Sequence, residues 1–184
     1  MSLLALRRAA AALRAGGVIA YPTEAVWGLG CEPYNRDAVA HLLTLKRRDW
    51  RKGLILVASD FEQLQPFVAE VSRAKLKPAL ATWPGAVTWL LPAAPEVPHW
   101  ITGGRAQIAV RVTAHALAAA LCREYGGAIV STSANVARRP PARTLMQLRR
   151  NFGDQLDFIL PGHLGDLNAP TPIRELSTGR ILRA

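Results

Sequence analysis

Apolar residues recur along this chain in two rhythms, and the alternation between them predicts an α/β fold. Leu3, Leu6, Ala10 and Leu13 follow helical spacing, with Ser2 placed to cap the helix and Gly16-Gly17 to end it. Val18-Ile19-Ala20-Tyr21 then reads as a short buried strand stopped by Pro22, and Trp27-Gly28-Leu29-Gly30 as a glycine loop. A second helix is expected from Asn35, with Val39, Leu42 and Leu43 on its inner face, running into Lys46-Arg47-Arg48. Residues 53–58 are an apolar run of strand length, and Asp60 with Gln63 predicts a capping box opening the next helix.

Further along, Trp83-Pro84-Gly85 predicts a turn before a strand over 87–91, followed by a loop carrying Pro92, Pro95 and Pro98. Residues 107–112 read as a strand, and Thr113 is expected to cap a helix through about Tyr125, closed by Gly126-Gly127. Ala128-Ile129-Val130 predicts a strand delivering a polar turn, Ser131-Thr132-Ser133-Ala134-Asn135, at its carboxyl end, where open α/β sheets place ligands. Thr144 and Gln147 form a capping box for a helix stopping near Gly153, residues 156–160 read as a strand and 161–172 as a loop. A closing hairpin of 173–176 and 180–183 completes the pattern. With no repeat, low-complexity tract or linker, the expectation is one domain over 1–184.

Composition narrows the class. Half of the 184 residues are apolar and 20% are charged, which excludes global disorder. Two cysteines far apart, Cys31 and Cys122, exclude a disulfide scaffold and suggest a reducing, cytoplasmic setting. Apolar stretches break well before the roughly 20 residues a bilayer requires, so no spanning helix is expected. The Arg-rich, acid-free opening superficially fits a transit peptide, but its helical spacing favours a structural first helix. Lys plus Arg number 23 against 13 Asp plus Glu, a net charge of +10. A field of that sign attracts nucleic acid, nucleotide phosphates or an anionic membrane surface, and charge alone does not choose among them.

Absences prune the chemistry. The chain has no GxxxxGK[ST] phosphate loop, no GxGxxG opening a helix, no HExxH, no CxxC pair and no GxSxG elbow. His41, His99, His115 and His163 have no metal-ligand spacing. Three polar segments remain. Lys46-Arg47-Arg48-Asp49-Trp50-Arg51-Lys52 joins a helix to a core strand, so it is either a solvated basic helix end or a cationic loop over a cleft. Arg supplies a planar fork for phosphate oxygens and Lys a compact charge. The others are Ser131 to Asn135, which on its own is also an ordinary self-satisfied turn, and Tyr21-Pro22-Thr23-Glu24.

In this order, VIAYPTEAVWGLGCEP at 18–33, LLTLKRRDWRKGLILVA at 42–58, WPGAVTWLLPA at 83–93, IAVRVTAHAL at 108–117 and IVSTSAN at 129–135 resemble the YrdC/Sua5 family. The similarity is to its short bacterial TsaC branch, the threonylcarbamoyl-AMP synthases. The resemblance implies a single YrdC-like α/β domain, a twisted mixed β-sheet with flanking helices around a concave basic cavity. It implies that L-threonine, bicarbonate and ATP become L-threonylcarbamoyl-adenylate and pyrophosphate. The product passes to a separate threonylcarbamoyl-transferase complex that modifies adenosine 37 of tRNAs reading codons that begin with adenosine. The family's KxR…SxN signature falls on Lys46, Arg48, Ser133 and Asn135, implied to be catalytic and ATP-binding together with Lys52 and Thr88. Thr23, Arg111, Ser131 and Thr171 are implied on the threonine side. Either Arg47 or Arg48 could point inward, since a helix end frays by a residue. Mg2+ is expected to arrive with ATP, held mainly by nucleotide and water, because no carboxylate cluster stands out.

Two departures accompany the match. Val136-Ala137-Arg138-Arg139-Pro140 replaces the family's Ser-Gly type of turn and is expected to contact phosphates or RNA. The chain ends at Ala184, so any lid is expected from within, with Asn168-Ala169-Pro170-Thr171-Pro172-Ile173 closing on the amino acid. Two other readings compete. One is an RNA-binding module for tRNA or double-stranded RNA without turnover, carried by 46–52 and 138–149. The other is the related carbamoyl phosphate-using domain of hydrogenase maturation, whose acylphosphatase and zinc-finger segments are missing here.

Overall fold

Strands that read as unbroken apolar runs do so because the sheet they form is covered on both faces. In a computed structural model, which describes residues 2–169 and 171–183, nine strands make one mixed sheet. They are β1 (Ile19–Pro22), β2 (Trp27–Gly30), β3 (Ile55–Ala58), β4 (Thr88–Pro92), β5 (Gln107–Val112), β6 (Ile129–Ser133), β7 (Phe158–Ile159), β8 (Ile173–Glu175) and β9 (Ile181–Arg183). Their spatial order is β7-β1-β2-β6-β3-β5-β4-β8-β9. β1/β7, β3/β5 and β4/β8 run parallel and the other pairs antiparallel. The helices are α1 (Leu3–Arg14), α2 (Arg36–Lys46), α3 (Arg73–Leu80), α4 (His99–Thr102), α5 (Ala116–Tyr125) and α6 (Leu145–Phe152).

Alternate residues of each strand feed two cores. Ile19, Tyr21, Val57 and Ile129 pack against Leu6, Ala9 and Leu13 of α1 and Ala118, Leu121 and Cys122 of α5. Ala20, Leu29, Leu56, Ala58, Val110 and Val130 pack on the other face against Val39 and Leu42 of α2, Leu76 of α3 and Leu148 and Phe152 of α6. Each fully buried side chain of this size contributes about 1.5–3 kcal/mol. Among the described residues, no helix is long and apolar enough to cross a membrane.

Several local expectations change. Trp27-Gly28-Leu29-Gly30 is the strand β2 rather than a loop, paired with β1 in the register Ile19↔Gly30 through Pro22↔Trp27. Its glycines answer crowding. A Cβ on Gly30 would stand 2.6 Å from Val130 O and 2.9 Å from a ring carbon of Tyr21. β6 continues through Ser133, so the polar turn starts later than expected, and Ser131 is a strand residue paired with Ile55. His115, not Thr113, caps α5: its Nδ1 accepts from Ala118 N at 3.3 Å, while the Thr113 hydroxyl donates to Glu24 at 2.6 Å. Asp60 and Gln63 do make reciprocal local bonds, but they open a short 3-10 segment, Glu62–Phe67, containing Pro66. β7 is shorter than the expected 156–160, and the proline-rich loop contains α4. The Thr144/Gln147 capping box and the β8–β9 hairpin form as expected.

Gly30→Ala should destabilise the protein by about 1–3 kcal/mol, as overpacking a filled site does. Urea denaturation of the variant against the parent measures this, and unchanged stability would contradict the close approach.

Candidate active site

The face that α1 and α5 cover at Val57 and Ile129 is left open at Ile55, Ser131 and Ser133, and a cavity of about 220 Å3 forms there. Gly28, paired with Ser133, leaves room beside Thr23. The β1–β2 turn brings Thr23, Ala25 and Val26, the end of α2 brings Arg48, and β5 brings Arg111. Thr171 and Arg183 of the C-terminal hairpin region complete the wall with Asn135 and Pro141.

Of the residues singled out from sequence, Thr23, Arg48, Arg111, Ser131, Ser133, Asn135 and Thr171 line this cavity. Arg47, with φ of 48°, turns outward and is exposed, and its left-handed conformation is what turns Arg48 inward. Lys46, Thr88 and Lys52 do not line it. Lys46 is buried at 3% exposure, with Nζ donating to the carbonyls of Ser133 and Asn135. Thr88 is fully buried and meets Thr171 hydroxyl to hydroxyl at 3.4 Å. Lys52 is exposed at the end of a short 3-10 turn, Trp50–Lys52. In the 136–140 segment, Arg138 and Arg139 are exposed and stand outside the cavity lining, and Pro170 lies outside the described residues.

Three residues escaped the sequence reading as site members. Arg183 reaches the cavity from β9 and donates to Thr171 O at 2.7 Å, a placement with no local motif behind it. Glu24 lies 2.8 Å from Arg111 and is the only acid in the segment 18–31, a signal masked by its position in a turn. Tyr21 passes over Gly30 and donates its hydroxyl to Ser131 at 2.7 Å.

Charge in the cavity is lopsided. Burial, then the charge of Arg183, lowers the affinity of Arg48 for its proton, and burial with Arg111 does the same to Arg183. Guanidinium groups stay protonated through such shifts, so three cations share the site. Arg48 Nε and Arg111 Nε are buried without hydrogen-bond partners among the described residues. The Arg111–Glu24 pair is close at 2.8 Å but off the hydrogen-bond axis, so these two atoms also keep bonding capacity. Lys46 differs: burial, then Arg48, lowers it to about 7, so it is a weaker source of fixed charge at neutral pH. Burial raises the Tyr21 phenol, which acts as a neutral donor. For Glu24 burial pulls upward, but Arg111 and the Thr113 hydroxyl outweigh it and hold the carboxyl below its ordinary value.

The loop 161–172 braces this arrangement. Gly165 N donates to Thr23 O and Leu167 N to Glu24 O, both at 3.0 Å, while Arg143 donates to the carbonyls of Leu167 and Asn168. No His or Cys lines the cavity, so its residues offer no nucleophile–base dyad, only cations and hydroxyls arranged for an anion.

Fold and cavity therefore define a mixed-sheet α/β protein that takes an anionic small molecule, phosphate or carboxylate, at the open end of one sheet face. The family follows from the sequence as a whole: the Sua5/YciO/YrdC family model, described as telomere recombination, matches residues 11–184, and the chain belongs to that family. Threonylcarbamoyl-AMP synthase of Alkalilimnicola ehrlichii is 58% identical over 182 residues, covering 97% of this chain and 95% of that one. Threonylcarbamoyl-AMP synthase of Halorhodospira halophila is 55% identical over 178 residues, covering 97% and 93%. The crystal structure of P. abyssi Sua5 complexed with L-threonine superposes with a TM-score of 0.88 at 30% identity, covering 96% of this chain and 52% of that chain, so this chain spans about half of it.

The ion pair sets a pH dependence. A carboxyl held below its unfolded value adds stability that is fully present above that value, near 4.5, and is lost as pH falls through the lower folded value. Glu24→Gln should cost about 3–5 kcal/mol at neutral pH, the scale for stripping a buried charge of its partner. The gap between parent and variant should narrow as pH drops below 4.5. Urea denaturation at pH 7 and pH 3.5 checks both the size and the sign.

Proposed function

We propose that this chain is a nucleotidyltransferase, an L-threonylcarbamoyladenylate synthase, supplying N6-threonylcarbamoyladenosine formation at position 37 of tRNA. The observation that carries the reading is the convergence of Arg48, Arg111 and Arg183 with Ser and Thr hydroxyls in one small cavity that lacks a nucleophile–base dyad. The relatives' shared name supports it.

The chemistry needs positioning and charge neutralisation more than a protein nucleophile. The threonine amine combines with bicarbonate, losing water, to give an N-carboxylate. One carboxylate oxygen attacks the α-phosphorus of ATP, the new O–P bond forms, and the bond from that phosphorus to the β-phosphate bridging oxygen breaks to release pyrophosphate. Arg48 and Arg183 meet the phosphate charge, and Arg111, oriented by Glu24, faces the threonine carboxylate. Thr23, Ser131 and Thr171 supply hydroxyls on the amino-acid side, with Ser133 and Asn135 toward the nucleotide. Mg2+ enters as MgATP, since the one carboxylate beside the cavity is already paired with Arg111.

In this reading the protein works in the cytoplasm and releases its product to a threonylcarbamoyl-transferase complex. The competing RNA-binding reading rests on Arg138, Arg139, Arg149 and Arg150, all exposed. ATP consumption separates the two. Purified protein with ATP, Mg2+ and bicarbonate should release pyrophosphate only when L-threonine is added. Arg48→Ala should abolish that release while the fold survives. Normal release by a folded Arg48→Ala protein would remove Arg48 from the phosphate site, and no release by the parent would leave RNA binding as the better account.

A further inference from the structure

Within the Lys46, Arg48, Ser133, Asn135 set, hydrogen-bonding capacity is unevenly committed. The Lys46 ammonium has three N–H groups, and three oxygens receive them: Ser133 O, Asn135 O at 2.9 Å and Asn135 Oδ1 at 3.4 Å. The Asn135 amide is equally occupied. Its Oδ1 also accepts from the Ser133 hydroxyl at 2.6 Å, and its Nδ2 donates to Val136 O at 3.1 Å and Arg139 O at 2.9 Å. The backbone adds one more tie, from Ala137 N to Lys46 O at 2.8 Å. Lys46 is 3% exposed and outside the cavity lining, whereas Arg48 lines it with a buried Nε that has no partner among the described residues.

We propose that Lys46 is a positioning residue: it braces the end of β6 and the following turn so that Ser133 faces the cavity, and it leaves the phosphate contact to Arg48. This rests on the reading that the cavity takes MgATP. A brace and a phosphate ligand respond differently to loss of the amine. Removing a phosphate-contacting charge weakens binding and flattens its salt dependence, whereas misplacing Ser133 slows turnover at nearly unchanged affinity.

The test compares Lys46→Met, Arg48→Ala and the parent by calorimetric MgATP binding across a salt series and by pyrophosphate release. For Lys46→Met the expected result is a fall in kcat of about tenfold, with the MgATP Kd within about threefold of the parent and an unchanged salt slope. Arg48→Ala should lose affinity by about tenfold or more with a shallower slope. A Lys46→Met protein whose Kd rises further, whose slope flattens, or whose kcat matches the parent overturns the proposal.

If Lys46→Met does not fold, amine labelling of the parent decides the matter. Lys46 should label slowly and at a rate that saturating MgATP changes by less than about twofold, since its N–H groups are already bonded to protein. Stronger protection by MgATP overturns the brace. Threonine-dependent pyrophosphate release by the parent is the separate control for the synthase reading. Its absence defeats that reading and leaves labelling and MgATP binding to judge Lys46.

Discussion

Glu24 and Arg111 meet 2.8 Å apart beneath the cavity, and much of the local structure exists to keep them there. Three guanidinium groups sharing a small, partly desolvated space repel one another, and a single carboxylate offsets only part of that repulsion. Glu24 is therefore held from every side. Thr113 donates to it, which takes that hydroxyl away from capping α5 and leaves the cap to His115, and the 161–172 loop bonds the backbone on both sides of it. The residual positive field is the cavity's binding instrument: an entering anion relieves strain already built into the folded protein.

The sheet supplies the geometry. α1 and α5 cover only one end of their face, and where they stop the inward residues change from Val57 and Ile129 to Ser131 and Ser133. Gly30 lets Tyr21 cross the neighbouring strand to reach Ser131, so a residue with no side chain fixes the orientation of a cavity hydroxyl. At the far end of β6 the same economy holds: Lys46 and Asn135 bond to each other and to the backbone, and the turn after Ser133 is rigid without regular structure. The cavity thus has a fixed rear wall on β3, β5 and β6, while Thr171 and Arg183 approach from the C-terminal hairpin region.

The local rules of the chain were enough to specify helices with clear caps, such as Ser2, Asn35 and the Thr144/Gln147 box, and the apolar strands β3, β5 and β6. Motif order was enough to specify the family and most of the cavity wall. Tertiary structure decided the rest. Trp27–Gly30 looked like a loop because its glycines serve contacts with Tyr21 and Val130, which no local window contains. Thr113 looked like a cap because its competing partner, Glu24, is 89 residues away. Lys46 and Arg48 are two positions apart and look interchangeable in sequence, yet the left-handed turn at Arg47 sends one into the protein's own carbonyls and the other into the cavity. Arg183 carries no local signal at all and joins the site only through strand pairing at the sheet edge. Propensity, capping and periodicity act within a few residues and are written along the chain, but which polar group satisfies which is settled only when distant segments compete for the same donors in a space closed to water.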